Sequence, residues 1–291
     1  SGAEWNGDDS RWIVTTEQGE SYSGRHCVMA TGCLSVPQLP EIEGLDSFEG
    51  VRYQASRWPH EPVSFKGQRV GIIGTGSSGI QSIPVIAAEA EHLTVFQRTP
   101  NFSVPAKNSS LDNAWVAAFK ANYAAHRHNH RIGNGSGFGD LDIEPKATVE
   151  APTLFDEVTE SEAHALLEAA WQRGGARFMG AIGDTMMNQK ANDYAQKFIH
   201  NKIRSIVHDP ETAEALCPTS HPVGTRRICV DIDYFETYNQ SNVRLLNVAK
   251  DPIIRVTESG VQTESEHVPL DTLVLATGFD AMTGALLSMD I

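Results

Sequence analysis

Cysteine is scarce in this chain of 291 residues: there are four thiols, Cys27, Cys33, Cys217 and Cys229, with no CxxC pair and no regular spacing. That excludes a disulfide framework and a dithiol redox centre, and it reads as the reduced thiols of a cytoplasmic protein. No stretch approaches the roughly 18 apolar residues that a membrane-spanning helix requires. A basic, apolar, small-residue leader is missing from the N-terminus as well. Positive charge is also short, with 23 Lys and Arg against 37 Asp and Glu and a formal net charge of −14. Such a field repels nucleic acid and anionic membranes, so neither is expected as a partner. Any phosphorylated cofactor must therefore find its counter-charge locally. Low-complexity tracts and solenoid repeats are absent, and the length allows two modest domains or one with a large insertion.

The residues that are present alternate between strand and helix signals. Arg11–Thr16 reads as a strand, Glu17–Glu20 as a turn, and Cys27–Ala30 as a buried apolar run ending at Thr31-Gly32. Pro37, Pro40, Gly44 and Gly50 mark a connection. Arg69–Ile73 is then a buried strand, followed by a glycine turn, a helix over Ile80–Ala90 and a strand at Leu93–Phe96. Between 110 and 216 apolar residues recur at helical spacing: Trp115, Phe119 and Tyr123; Ala165, Leu166, Ala169 and Ala170; Tyr194, Phe198 and Ile203. Gly133–Gly139 is glycine-rich enough to read as a mobile loop. Strand signals return at Arg227–Val230, Val243–Leu246, Ile253–Val256 and Leu273–Gly278. The fold class expected is α/β, a Rossmann-like parallel sheet interrupted by a helical insertion.

The turn Gly74-Thr75-Gly76-Ser77-Ser78-Gly79 follows a strand and opens a helix, the context in which a GxGxxG run binds a dinucleotide. Gly74 permits the tight turn, Gly76 lets backbone approach a pyrophosphate, and Gly79 lets helix and strand pack closely. Free N–H groups at the helix start face the anion, and Ser77, Ser78 and Gln81 stand beside it. The end of the next strand selects the cofactor. An NAD site places a carboxylate there for the ribose 2′-OH; this chain has Gln97-Arg98-Thr99, a guanidinium fork and a hydroxyl suited to a 2′-phosphate. NADPH is expected over NADH.

Three histidines, His126, His128 and His130, invite a metal reading. They lack acidic or cysteine partners at ligand spacing, and Arg127 and Arg131 add repelling charge, so they read as a solvated helix end. Asp231, Asp233 and Glu236 read as polar partners around Arg226 and Arg227, or as a solvated strand end.

Upstream of the turn, Phe48-x-Gly50-x-x-x-Gln54-x-x-x-Trp58-Pro59 resembles the fingerprint of Baeyer–Villiger monooxygenases, F-x-G-x-x-x-H-x-x-x-W-P, with Gln54 in place of the histidine. Ala30-Thr31-Gly32, Val95–Pro100, Gly224-Thr225-Arg226-Arg227 and Ala276-Thr277-Gly278-Phe279-Asp280 are similar to further stretches of that family, in particular its phenylacetone and steroid monooxygenase branch. The resemblance implies FAD and NADPH as cofactors, a ketone and O₂ as substrates, and an ester or lactone formed through a C4a-peroxyflavin. It implies a catalytic role for Arg227 and a place for Arg226 beside Arg98 at the 2′-phosphate. Ala276, Thr277 and Gly278 are implied to contact cofactor where the chain returns to an FAD domain. The implied organisation is an FAD-domain tail over 1–36, a linker with the fingerprint over 37–66, a nucleotide domain over 67–109 and 217–275, the insertion over 110–216, and the FAD-domain return over 276–291. The chain begins without Met, and the earlier GxGxxG of the family precedes none of its motifs, so an incomplete enzyme is expected; its expected state is a monomer. Gln54 donates and accepts but cannot become a cation, unlike the family's histidine. Trp58-Pro59 is expected to anchor the linker by burial. Two alternatives stand beside this reading: a related N-hydroxylating or flavin-containing monooxygenase, and an NADP(H)-binding module without catalysis.

Overall fold

The computed structural model describes residues 2–133 and 152–291. The glycine-rich loop expected up to Gly139 lies outside them from Asn134 onward. Two compact units emerge, one from 1–63 with 253–291 and one from 64–252.

The first unit opens with an antiparallel meander of Gly2–Asn6 (β1), Arg11–Thr15 (β2) and Ser21–Gly24 (β3). Trp5 and Trp12 face each other across it, ring centroids 5.7 Å apart. The apolar run Cys27–Ala30 is not a strand, which corrects the expectation, and Val28 is 84% exposed. A short apolar run becomes a strand only where a neighbour takes its backbone bonds, and no described segment pairs with it. Val51–Gln54 (β4) closes this part of the unit.

The second unit holds the parallel sheet. Arg69–Ile73 (β5) leads through helix Ser77–Ala87 (α1) to His92–Gln97 (β6). Val70, Ile72, Leu93 and Val95 are fully buried, the continuous apolar pattern of strands covered on both faces. Ser103–Pro105 (β7) precedes the insertion, built of helices Asn113–Ala121 (α2), Tyr123–Gly133 (α3), Glu160–Arg173 (α4), Gln189–Ile206 (α5) and Pro210–Leu216 (α6). Trp115 stacks on Phe119 at 5.1 Å and Phe119 on His126 at 4.6 Å, so His126 closes an aromatic ladder. The side chain of His130 lies outside the described residues. On α4 the buried stripe is Ala163, Leu167, Ala170 and Trp171, displaced from the Ala165, Leu166 and Ala169 of the expected face. Small residues satisfy helical periodicity in several phases, and the aromatic Trp171 against Phe178 and Phe198 decides which one is used.

Cys229–Asp231 (β8) pairs in parallel with β7, Tyr234–Thr237 (α7) follows, and Val243–Asn247 (β9) completes the parallel order β5-β6-β9. The chain then returns to the first unit through a meander of Ile253–Thr257 (β10), Gly260–Thr263 (β11) and His267–Pro269 (β12), then Thr272–Leu275 (β13) and helix Gly284–Leu287 (α8). β13 pairs in parallel with β4, Leu275 opposite Gln54. The stretch 217–275, expected to belong to the nucleotide domain as a whole, is thus divided at Pro252. Bonds from Val256 N–H to the Glu43 carbonyl and from Glu49 N–H to the Glu258 carbonyl fasten its second part to the first unit.

Asp231 does not pair with Arg226 or Arg227. It is buried, accepts the Ser103 hydroxyl and the Tyr234 N–H, and joins β7 to the start of α7. Burial pushes its carboxyl above the usual range, with those two bonds opposing the shift. A folded-state pKa above the unfolded one means stability present at low pH and lost as pH rises through the folded value. The melting temperature of the wild type relative to Asp231→Asn is therefore expected to fall as pH rises above the ordinary aspartate pKa of about 4. An offset independent of pH would reject the buried, proton-holding carboxyl.

Candidate functional site

At the end of β5 the chain turns through Gly74, whose φ of 111° favours glycine. Its N–H donates to the Phe96 carbonyl at 3.2 Å. Thr75 is buried, and its hydroxyl donates to the Thr99 carbonyl at 3.1 Å, which laces the turn to the segment after β6. Gly76 caps α1 in extended conformation, with no side chain taking the first-turn N–H groups and no acid in that turn. A Cβ on Gly76 would meet nothing within 4 Å. The protein's own packing does not require glycine there; the space outside it stays open. Gly79 is the converse, buried where α1 meets the sheet. Ser77 and Ser78 are exposed beside the helix start, and Gln81 donates to the Ser77 hydroxyl oxygen at 3.1 Å. Uncapped amides at the positive end of a helix dipole make a seat for a phosphate-bearing anion.

Positive charge comes from two segments. Gln97 is fully buried and donates to the Ala215 carbonyl at 2.7 Å, which leaves Arg98 exposed at the strand end with Thr99 half-buried. Arg226 and Arg227 are exposed after Gly224, where φ is 88°. Among the described residues no carboxylate pairs with Arg98, Arg226 or Arg227. Arg226 is close enough to His221 to help lower its pKa, second to burial.

The residue that ties these segments together is one the sequence reading passed over. Cys229 donates its N–H to the Phe102 carbonyl at 2.9 Å, and its sulfur accepts the Asn101 amide at 3.1 Å. Helix α1 packs against the same strand, β8. Burial holds the thiol above its usual pKa, so it stays neutral beside the helix start. Helix α1 and the post-β6 segment therefore both meet the strand after the arginines. Nothing in the spacing of Asn101 and Cys229 announces this.

The first unit carries the fingerprint. Phe48 is buried, and a Cβ on Gly50 would stand 2.4 Å from the Asp271 carbonyl and 2.5 Å from the Phe48 ring. Trp58 is 38% exposed and lies against Tyr53 at 5.2 Å, so it holds its place by ring contact, not by the burial expected. Gln54 lines a cleft of about 800 Å³ with Glu41, Glu43, Arg52 and Leu275, and its Nε2 is buried without a partner. Ala276 is buried, Thr277 donates to the Gln38 carbonyl at 2.6 Å, and Gly278 turns with φ of 83°. Gly278 accepts from the Gln38 N–H, and Met282 donates to the Cys33 carbonyl. The two Ala-Thr-Gly stretches, far apart in sequence, are thereby knitted into one unit.

No protein-family model matches the chain. It is 42% identical over 292 residues to cyclohexanone 1,2-monooxygenase of Acinetobacter sp, 99% of this chain and 52% of that protein. It is 39% identical over 293 residues to a Baeyer–Villiger monooxygenase of Pseudooceanicola batsensis, 100% of this chain and 52% of that one. A phenazine N-monooxygenase of Lysobacter antibioticus is 40% identical over 287 residues, 96% of this chain and 50% of its own length. Among solved structures, a complex of OTEMO with FAD and NADP aligns with a TM-score of 0.93 at 35% identity, covering 100% of this chain and 54% of that one. The chain spans about half the length of the curated relatives it matches.

Since a Cβ at residue 76 meets no protein atom, Gly76→Ala is expected to fold with little change in melting temperature. It should weaken NADPH at least tenfold, about 1.4 kcal/mol, by filling the space the pyrophosphate needs. An unchanged Kd in a fluorescence titration would remove the glycine turn from the binding site.

Proposed function

We propose, taking the chain's membership of the Baeyer–Villiger monooxygenase family as premise, that it forms the NADPH-binding part of a flavin-dependent enzyme that inserts one atom of O₂ into a ketone to give an ester or lactone. One observation carries the reading. In a chain of net charge −14, three guanidinium groups have no carboxylate partner among the described residues, on segments laced to an uncapped glycine-turn helix. Phosphate groups are the ligands that such an arrangement rewards.

In this reading the amides of Ser77, Ser78 and Gly79 hold the pyrophosphate, and Arg98 and Arg226 hold the 2′-phosphate with Thr99. Arg227 is the catalytic residue: a permanent cation that steadies negative charge on the reacting oxygen and helps to hold the nicotinamide. NADPH, when bound, supplies hydride and the flavin supplies activated oxygen. Ala30-Thr31-Gly32 and Ala276-Thr277-Gly278 present backbone on the flavin side. Residues 37–66 link the two nucleotide-binding parts and couple cofactor binding to motion between them. The substrates are a ketone and O₂, and the working form is a cytoplasmic monomer. No helix among the described residues is long and apolar enough to cross a membrane.

A second reading has one observation behind it: a relative of 40% identity is a phenazine N-monooxygenase, so the oxygen acceptor can be nitrogen within this degree of similarity. The nucleotide seat serves both.

Arg98→Glu is expected to raise the Kd for NADPH roughly 100-fold, about 2.7 kcal/mol, and that for NADH by less than about threefold. Equal losses would refute the 2′-phosphate assignment. In the same preparation, colour separates the two nucleotides: protein that is yellow retains flavin, and colourless protein that quenches NADPH fluorescence holds the dinucleotide alone.

A further inference from the structure

The arginine loop has a seat that the glycine turn does not supply. Asn192 lies on α5, inside the helical insertion, and is 6% exposed. Its Nδ2 donates to the Val223 carbonyl at 2.9 Å, and its Oδ1 accepts the Val223 N–H at 3.0 Å. The amide thus treats Val223 as a neighbouring strand would, closing both of its backbone groups at once. The second Nδ2 hydrogen goes to the Thr185 carbonyl at 2.9 Å, so neither donor is spare. Val223 is 1% exposed and immediately precedes Gly224-Thr225-Arg226-Arg227.

A second contact from the insertion presses on the same loop. At Gly224 a Cβ would stand 2.1 Å from the Met186 sulfur and 3.0 Å from the Met179 methyl. With φ at 88°, the backbone favours glycine there, and the tips of Met186 and Met179 rest against it. The base of the clamp is itself braced. Asp184 takes the Phe155 N–H on one carboxylate oxygen and the Asn188 side-chain amide on the other, and Asn188 caps α5.

We infer that Asn192 is a positioning residue, through which the helical insertion holds Arg226 and Arg227 in place for the dinucleotide before it binds. This rests on the nucleotide reading above and extends it: the insertion becomes part of the cofactor site although none of its residues need touch the cofactor. An arginine pair ordered beforehand spares the ligand the cost of ordering it on arrival.

The test uses the 291-residue chain. Asn192→Ala is titrated with NADPH and with NADH and compared with Leu167→Ala, which opens the insertion core elsewhere. Asn192→Ala is expected to weaken NADPH on the order of tenfold, as two long side chains lose their prior order. NADH, which lacks the phosphate that Arg226 holds, should change less than about threefold, and Leu167→Ala should leave the ratio of the two affinities at the wild-type value. Met186 is 56% exposed, so Met186→Ala tests the seat without endangering the fold. It should shift the same ratio in the same direction by a smaller factor. Hydrogen exchange at the Val223 amide should accelerate in Asn192→Ala and not in Leu167→Ala. If both nucleotides weaken in parallel, or Leu167→Ala moves the ratio equally, Asn192 is a core residue only and the inference fails while the nucleotide site stands. Wild-type chain that binds neither nucleotide overturns both.

Discussion

Everything at the nucleotide end of this molecule depends on a helix that starts without a cap. The N–H groups that open any helix have no partner within it, and most helices answer them with an Asp, Ser or Thr side chain. Three other helices here do so: Asp112 at α2, Thr159 at α4 and Asn188 at α5. α1 has Gly76 in that position and no acid in its first turn. In a chain with 14 more acidic than basic residues, one helix start has no acid in its first turn, and Arg98, Arg226 and Arg227 have no carboxylate partner among the described residues, which leaves their positive potential available to an anion.

Such a region has to be held together against its own repulsion. Like charges on two short segments beside a positive helix end would drift apart if the segments were joined only by loops. Cys229 counters this by taking the Asn101 amide on its neutral, buried sulfur and donating its own N–H to the Phe102 carbonyl. A charged or larger group could not serve there without placing another ion beside the helix start. Asp231, two residues on, fixes the following turn from beneath through Ser103 and Tyr234. The insertion adds the third brace through Asn192.

How much of this is legible in the sequence follows from the range of each interaction. β5, the glycine turn, α1 and β6 are written in local pattern, apolar runs of the right length around glycines at fixed offsets, and the structure reproduces them within three or four residues. The same rule misleads at Cys27–Ala30, because an apolar run says nothing of whether a partner strand exists. It misplaces the α4 face, since alanines fit more than one helical phase. Trp58 reads as a buried anchor because tryptophan usually is one, yet it rests on Tyr53 at the surface. Asn192 and Val223 are 31 positions apart, and Asn101 and Cys229 are separated by 128, so no periodicity links them. Arg98, Arg226 and Arg227 stand out in the sequence by motif and residue type, and the structure finds them exposed, while the contacts that hold their segments are tertiary.

Gln54 shows where motif and environment part company. The fingerprint position sits at the end of β4, opposite Leu275, at the rim of a polar cleft. A histidine there would add a group able to titrate near neutrality among Glu41, Glu43 and Arg52. Glutamine offers a neutral donor and acceptor with a fixed charge of zero, and its Nε2 is buried with no protein acceptor. A buried donor is tolerated when water or a ligand completes it, since an amide left dry is costly. The frame around the position is set by packing: a Cβ on Gly50 would meet the Asp271 carbonyl and the Phe48 ring, and Trp58 lies tilted against Tyr53. The fingerprint therefore separates into a frame that packing enforces and one polar position that it does not, and the departure from the family pattern falls on the latter.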